Sequence, residues 1–219
     1  MSTTVVAIDG PAGAGKSSVA ALLARRLGFT HVNTGSLYRA VALAVRRAGA
    51  AIDPVEPAFL DTLRITFEGN RLLLDGRDPG EALRSAACAA DASLVAKQPA
   101  VRSFLLPVQR EIAASQWIVM EGRDIGTVVF PDALVKIFLT ASSLVRAQRR
   151  MAQGEVPPGA TLDEVRREIE RRDLQDSTRA AAPLKAAPDA VTVDNSDLSL
   201  EETVETIAAI VEAKRSKEG

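Results

Sequence analysis

The chain alternates between two hydrophobic rhythms. Val5 to Ile8 is a short apolar, β-branched run that stops at a glycine-rich loop, the pattern of a buried strand. From Lys16 to Leu27 the rhythm changes. Val19, Leu22, Leu23 and Leu27 recur at helical spacing until Gly28 ends the segment. Thr30 to Val32 predicts a second strand, and a helix follows from about Ser36 to Ala48, closed by Gly49.

Residues 53 to 100 break this alternation. Asp53-Pro54 and Pro57 interrupt the pattern. Arg64-Ile65-Thr66-Phe67 and Arg71-Leu72-Leu73-Leu74 flank Glu68-Gly69-Asn70 and predict a hairpin. A hairpin is foreign to an alternating strand–helix layout, so this stretch reads as an insertion, with helical pieces around Gly80 to Ala96. The alternation then resumes. A helix is predicted from Pro99 to Ala114, a strand from Trp117 to Met120 ending at Glu121-Gly122, and another from Val135 to Leu139. Ser142 to Met151 reads as helix and Gly154 to Gly159, with Pro157-Pro158, as loop. Thr161-Leu162-Asp163-Glu164 is a capping box that opens a helix to about Asp173. Val191 to Val193 is a fifth strand, and Ser199-Leu200-Glu201-Glu202 is a second capping box before the last helix. Five strands alternating with helices predict an α/β fold with a mostly parallel sheet covered on both faces.

Composition narrows the function. At 219 residues and 47% hydrophobic, the chain suits one domain with a real core and a small insertion. Its net charge of −1 argues against coating nucleic acid or a charged membrane. One Cys (Cys88) and one His (His31) exclude a disulfide framework and a His/Cys zinc site. No apolar run is long enough to span a membrane, and no basic leader precedes the first strand, so no signal peptide and a cytoplasmic setting are expected. No heptad seam demands a dimer, and a monomer is expected. The cations are 21 Arg against 6 Lys. Arg grips phosphate and carboxylate through a rigid fork of donors.

Gly10-Pro11-Ala12-Gly13-Ala14-Gly15-Lys16-Ser17 fits the phosphate-loop pattern in full, with a strand before it and a helix after it. Backbone N–H groups curl around phosphate oxygens, and the helix N-terminus adds partial positive charge. Lys16 supplies a cation for the β and γ phosphates, Ser17 a hydroxyl for Mg²⁺, and Ser18 a further donor. Such loops serve switch GTPases, motors and small kinases. No Asn-Lys-x-Asp run is present to read guanine. The nearest strand ends in Met120-Glu121-Gly122-Arg123-Asp124, which differs from the Asp-Glu expected of a motor.

A small kinase needs an acceptor pocket and cations. Asn33 to Arg39 lies at the end of the second strand, where ligands of open α/β sheets bind. There Arg39 can clamp an acceptor phosphate, while Thr34 and Ser36 can either serve the ligand or simply cap the helix. Arg123 and Asp124 follow the third strand and face the same crevice. Arg146, Arg149 and Arg150 share a helix face, as do Arg172, Asp176 and Arg179 if the second helix runs that far. Joined by the loop at 154–159, these faces make a lid, or else solvated surfaces with pairs such as Arg172–Asp176. His31, Cys88 and Trp117 read as structural.

Taken together, Ile8 to Ser17, Asn33 to Arg39, Glu121 to Pro131, Lys136 to Leu139, Arg171 to Asp173 and Ala181 to Leu184 resemble bacterial cytidylate kinases, in order, across nearly the whole chain. The resemblance implies a P-loop nucleoside monophosphate kinase fold. Its core would cover about 1–33, 103–145 and 174–219, an acceptor-binding insertion with the hairpin about 34–102, and a short lid about 146–173. It implies transfer from ATP to CMP or dCMP with Mg²⁺. By motif position, ATP would meet Gly10, Pro11, Ala12, Gly13, Ala14, Gly15, Lys16, Ser17, Ser18 and Arg149. CMP would meet Thr34, Arg39, Ser93, Arg102, Arg123, Asp124, Arg172, Asp176 and Arg179. Lys16, Arg123, Arg150 and Arg179 would act on the transferred group. Asp124 accepting from the exocyclic amine, with Arg102 donating to the ring, would favour cytosine over uracil. Ser17-Ser18 stands where many relatives have Gly-Thr, which leaves open which Ser serves the metal. The alternatives are a UMP or AMP kinase and, from another class, a nucleotide-sensing switch.

Overall fold

The computed structural model describes residues 3–69, 71–114, 116–154 and 156–218. Asn70 of the expected hairpin turn and Glu155 of the expected loop lie outside these. Strand β1 (Thr3–Asp9) enters helix α1 (Lys16–Leu27), then β2 (Thr30–Asn33) and α2 (Thr34–Ala48). Next come α3 (Pro57–Leu60), the hairpin β3 (Ile65–Glu68) and β4 (Arg71–Leu74), a 3₁₀ segment (Gly80–Arg84), α4 (Ala86–Val95) and α5 (Pro99–Ile112). The chain continues through β5 (Ile118–Gly122), a π-helical turn (Ile125–Val129), β6 (Ala133–Thr140), α6 (Ser143–Ala152), α7 (Leu162–Thr178), β7 (Val191–Asp194) and α8 (Leu200–Glu218).

Five strands form one sheet in the order β2-β5-β1-β6-β7, and the hairpin stands apart as a two-stranded sheet. β1 is parallel to both β5 and β6, and β6 to β7. Asp9 is in register with Gly122 on one side and Phe138 on the other. The C-terminal ends of β1 and β5 therefore finish level, where an open α/β sheet binds its ligands.

Two compact units follow from the packing, one holding residues up to His31 and from Trp117 onward, the other Val32–Gln116. In the first, Val6, Ile8, Val119, Ile137 and Leu139 of the sheet pack with Val19 and Leu23 of α1 and Ile207 and Val211 of α8. These central strands are apolar at consecutive positions because helices leave no face for water. A smaller cluster, Ala147, Val165 and Ile169, joins α6 to α7. In the second unit α2 supplies Leu37, Val41 and Val45 at helical spacing, and Leu60, Ile65, Leu72, Leu74, Cys88, Val101 and Leu105 close over them. The buried Cys88 is thus a packing residue, as read. Trp117 also packs, its ring stacked on Phe29 at 5.1 Å with the Arg215 guanidinium 4.9 Å above it.

The two capping boxes form. Thr161 and Glu164 satisfy each other's backbone N–H, as do Ser199 and Glu202. α7 continues five residues beyond the predicted Asp173. Arg179 is the residue that leaves it, in extended backbone, so the expected shared helix face of Arg172, Asp176 and Arg179 loses its last member. The π-helical turn was unforeseen; one wide turn is invisible to a search for 3.6-residue periodicity.

Candidate active site

Each turn of the phosphate loop needs a residue without a side chain. Gly13 (φ 76°) and Gly15 (φ 84°) occupy left-handed backbone, Gly15 as the residue that opens α1. Gly10 is required for closeness, since a Cβ there would overlap the backbone carbonyl of Leu139. A glycine-rich turn leading into a helix N-terminus is the arrangement that holds phosphate oxygens.

Lys16 is buried and its Nζ donates to Pro11 O at 2.8 Å. Burial drives its pKa well below the ordinary lysine value, and the Arg123 and then Arg172 charges add to this against the pull of Glu121 and Asp9. Ser17 Oγ donates to Glu121 Oε2 at 3.0 Å, and Glu121 Oε1 pairs with His31 Nε2 at 3.2 Å. His31, read from the sequence as structural, has as its partner the carboxylate beside the loop hydroxyl. A hydroxyl and a buried carboxylate this close, beside a phosphate cradle, are the hard oxygen donors that suit Mg²⁺. Ser17 is the loop hydroxyl that meets Glu121.

Glu121 carries no motif of its own, because Glu-Gly-Arg-Asp is not the motor signature; its one signal in the sequence is its place at the end of a strand. Asp9, Asp173 and Asn195 likewise stand in no pattern that marks them as site residues. Asp9 accepts from Ile125 N (2.8 Å) and Gly126 N (2.7 Å). Asp173 accepts from Ala12 N (3.3 Å) and from Arg146 Nη1 (2.6 Å). Asn195 donates to Ala14 O at 3.1 Å and accepts from Arg149 at 3.0 Å through its side chain and 2.8 Å through its carbonyl. These contacts brace the loop from β7 and α7, far away in sequence.

The expected arginines are brought together unevenly. Arg123 Nε donates to Asp176 at 2.9 Å and its Nη1 to Gly122 O at 3.3 Å. Asp176 thus pairs across the fold with a residue 53 positions away. Arg179 Nη2 reaches Asp124 Oδ1 at 3.5 Å while its Nε donates to Ala182 O at 2.6 Å. Both Asp124 and Arg179 side chains are buried. Of the three arginines of α6, Arg146 is buried against Ala12 O, Ala141 O and Asp173, which corrects its reading as part of a solvated face. Arg149 sits on Asn195. Arg150 lies 3.8 Å from Glu168, with Nη1 buried and lacking a hydrogen-bond partner among the described residues.

The other expected acceptor residues belong to the Val32–Gln116 unit. Thr34 is buried and is the first residue of α2, not its cap, and Ser36 Oγ turns back to Asn33 O at 2.6 Å. Both hydroxyls lie past the cap position, so the capping reading of this pair does not hold. Arg39 lies on α2, its carbonyl accepting from Cys88 Sγ at 3.3 Å. Ser93 Oγ donates to Ala89 O within α4. Arg102 Nη1 donates to Ala96 O at 3.2 Å, and its guanidinium stands 5.8 Å from the Tyr38 ring centre.

Similarity to known proteins runs the length of the chain. The family model for cytidylate kinase matches residues 6–213. A protein named cytidylate kinase from Thermosipho melanesiensis is 47% identical over 95% of this chain and 97% of its own. Another of that name from Pelotomaculum thermopropionicum is 48% identical over 96% of each. Among solved structures, a gluconokinase from Sinorhizobium meliloti superposes with a TM-score of 0.51 at 16% identity, covering 95% of this chain and 91% of that one. At that identity the likeness speaks for the fold alone.

Proposed function

The chain belongs to the cytidylate kinase family, and from that premise we propose that it transfers the γ-phosphoryl group of ATP to CMP, and to dCMP, giving ADP and the diphosphate. One observation supports this above the others: a complete phosphate loop stands in a chain 47% identical over 95% of its length to a cytidylate kinase.

In this reading ATP lays its β and γ phosphates along Gly10 to Ser18. Lys16 leaves Pro11 O for the transferred group, and Arg149 and Arg150 approach from α6. Ser17, with Glu121 behind it, would hold Mg²⁺, which would supply charge neutralisation when bound. Arg39, Arg123 and Arg179 hold the CMP phosphate with Thr34. Arg172 and Asp176 face the sugar. Ser93, Arg102 and Asp124 read the base. The acceptor phosphate is already an anion at neutral pH, so no strong general base is needed. Its oxygen attacks the γ phosphorus in line, the bond to the β-bridging oxygen breaks, and ADP leaves with that electron pair. Catalysis is positioning and charge stabilisation. The Val32–Gln116 unit serves as the acceptor-binding insertion, and α6 with α7 as the lid that excludes water. We place the reaction in the cytoplasm, on a monomer. Among the described residues no helix is long and apolar enough to cross a membrane.

The test is an acceptor screen. Purified protein with ATP and Mg²⁺ is offered CMP, dCMP, UMP and AMP, and ADP release is followed. CMP and dCMP should be used best. Failure to form CDP would overturn the proposal.

A further inference from the structure

Asp9 is a buried carboxylate that the phosphoryl transfer does not use. It ends β1, immediately before Gly10, and is 5% exposed. Its two oxygens accept separately from Ile125 N at 2.8 Å and Gly126 N at 2.7 Å. Those two amides open the π-helical turn directly after Asp124, which is also 5% exposed. The turn then folds back on Asp124, whose carbonyl accepts from Val128 N at 2.9 Å and Val129 N at 3.2 Å. Asp124 thus takes its orientation from a backbone turn that is anchored at its start by Asp9.

We infer that Asp9 is the positioning residue for Asp124: by holding both leading amides of the turn, it fixes the base-reading carboxylate and so the preference for cytosine. This inference rests on the reading of Asp124 given above. Chemistry favours two acceptor oxygens at this point. Asn in place of Asp offers one oxygen and one NH₂, and the NH₂ would confront an N–H donor. A protonated carboxyl has the same defect.

The protonation state is within reach of ordinary buffers. Burial pushes the Asp9 pKa up to about 6, against the two backbone donors, and the neighbouring Asp124 charge adds to the rise while Lys16 opposes it. Its partners in the sheet register, Gly122 and Phe138, carry no charge. A carboxyl whose folded pKa lies above its unfolded value binds its proton more tightly when folded. Acidification through about pH 6 therefore strengthens the fold at this group while it spoils the acceptor pair. A loss of specificity there is not unfolding.

The experiment measures kcat/KM for CMP and UMP from about pH 5 to about pH 8 in the parent, Asp9→Asn and Asp124→Ala. The ratio cancels the acceptor phosphate's own titration, which is common to both nucleotides. The parent ratio should fall as pH drops through about 6. Asp9→Asn should lower the ratio about tenfold at neutral pH and leave it flat with pH. A parent ratio independent of pH, or an unchanged ratio in Asp9→Asn while Asp124→Ala collapses it, would overturn the role of Asp9 and leave the base reading standing. An unchanged ratio in Asp124→Ala would overturn both. The parent profile needs no substitution, so it tests the inference even if Asp9→Asn fails to fold.

Discussion

Replacing Asp173 by Ala cuts the tie between α7 and the phosphate loop. Its carboxylate accepts from Arg146 Nη1 at 2.6 Å and from Ala12 N at 3.3 Å. The Arg146 side chain is 7% exposed and that of Asp173 22%. Removing one partner of a fully buried pair costs about 3–5 kcal/mol, because the other charge stays desolvated and uncompensated. Two features lower that figure. Arg146 keeps Ala12 O at 2.8 Å and Ala141 O at 2.9 Å, and water can reach the Asp173 side. We therefore expect a loss of about 2 kcal/mol, which for a chain of this size lowers the thermal midpoint by about 4–8 °C. Urea and thermal melts without nucleotide measure it. A double-mutant cycle with Arg146→Met isolates the pair and should give a coupling of about 2 kcal/mol. The KM for ATP should also rise, because Ala12 N loses its acceptor and the loop its brace. A single variant within about 0.5 kcal/mol of the parent, or a coupling near zero, would refute the argument.

Two further outcomes follow from the loop itself. Lys16→Ala should lose about 10²–10³-fold in turnover, since a cation aimed at the transferred group is removed. It should still fold, seen as a cooperative melt, because Lys16 is not among the residues of the sheet core; near-parent turnover would defeat the assignment of Lys16. Gly10→Ala should fail to fold, because its methyl meets the Leu139 backbone, which the parallel ladder of β6 holds in place. A soluble variant melting within about 5 °C of the parent would contradict this.

The hydrophobic rhythm by itself determined the alternation of strands and helices, the hairpin in the insertion and the two capping boxes. These depend on residues a few positions apart, so the chain carries them locally. The phosphate loop was legible for the same reason: its glycines, Lys16 and Ser17 act within eight consecutive positions. Pairings across the fold were not. Periodicity reports that a residue is buried or bears charge, never what it meets. Sheet order and register decided that Ser17 would meet Glu121, 104 positions on, and that Asp9 would finish level with Gly122 and so reach the amides at 125 and 126. Arg123 turned to Asp176 and Arg146 to Asp173 for the same reason, which is that a charge takes the partner the backbone brings within reach, however far along the chain it lies.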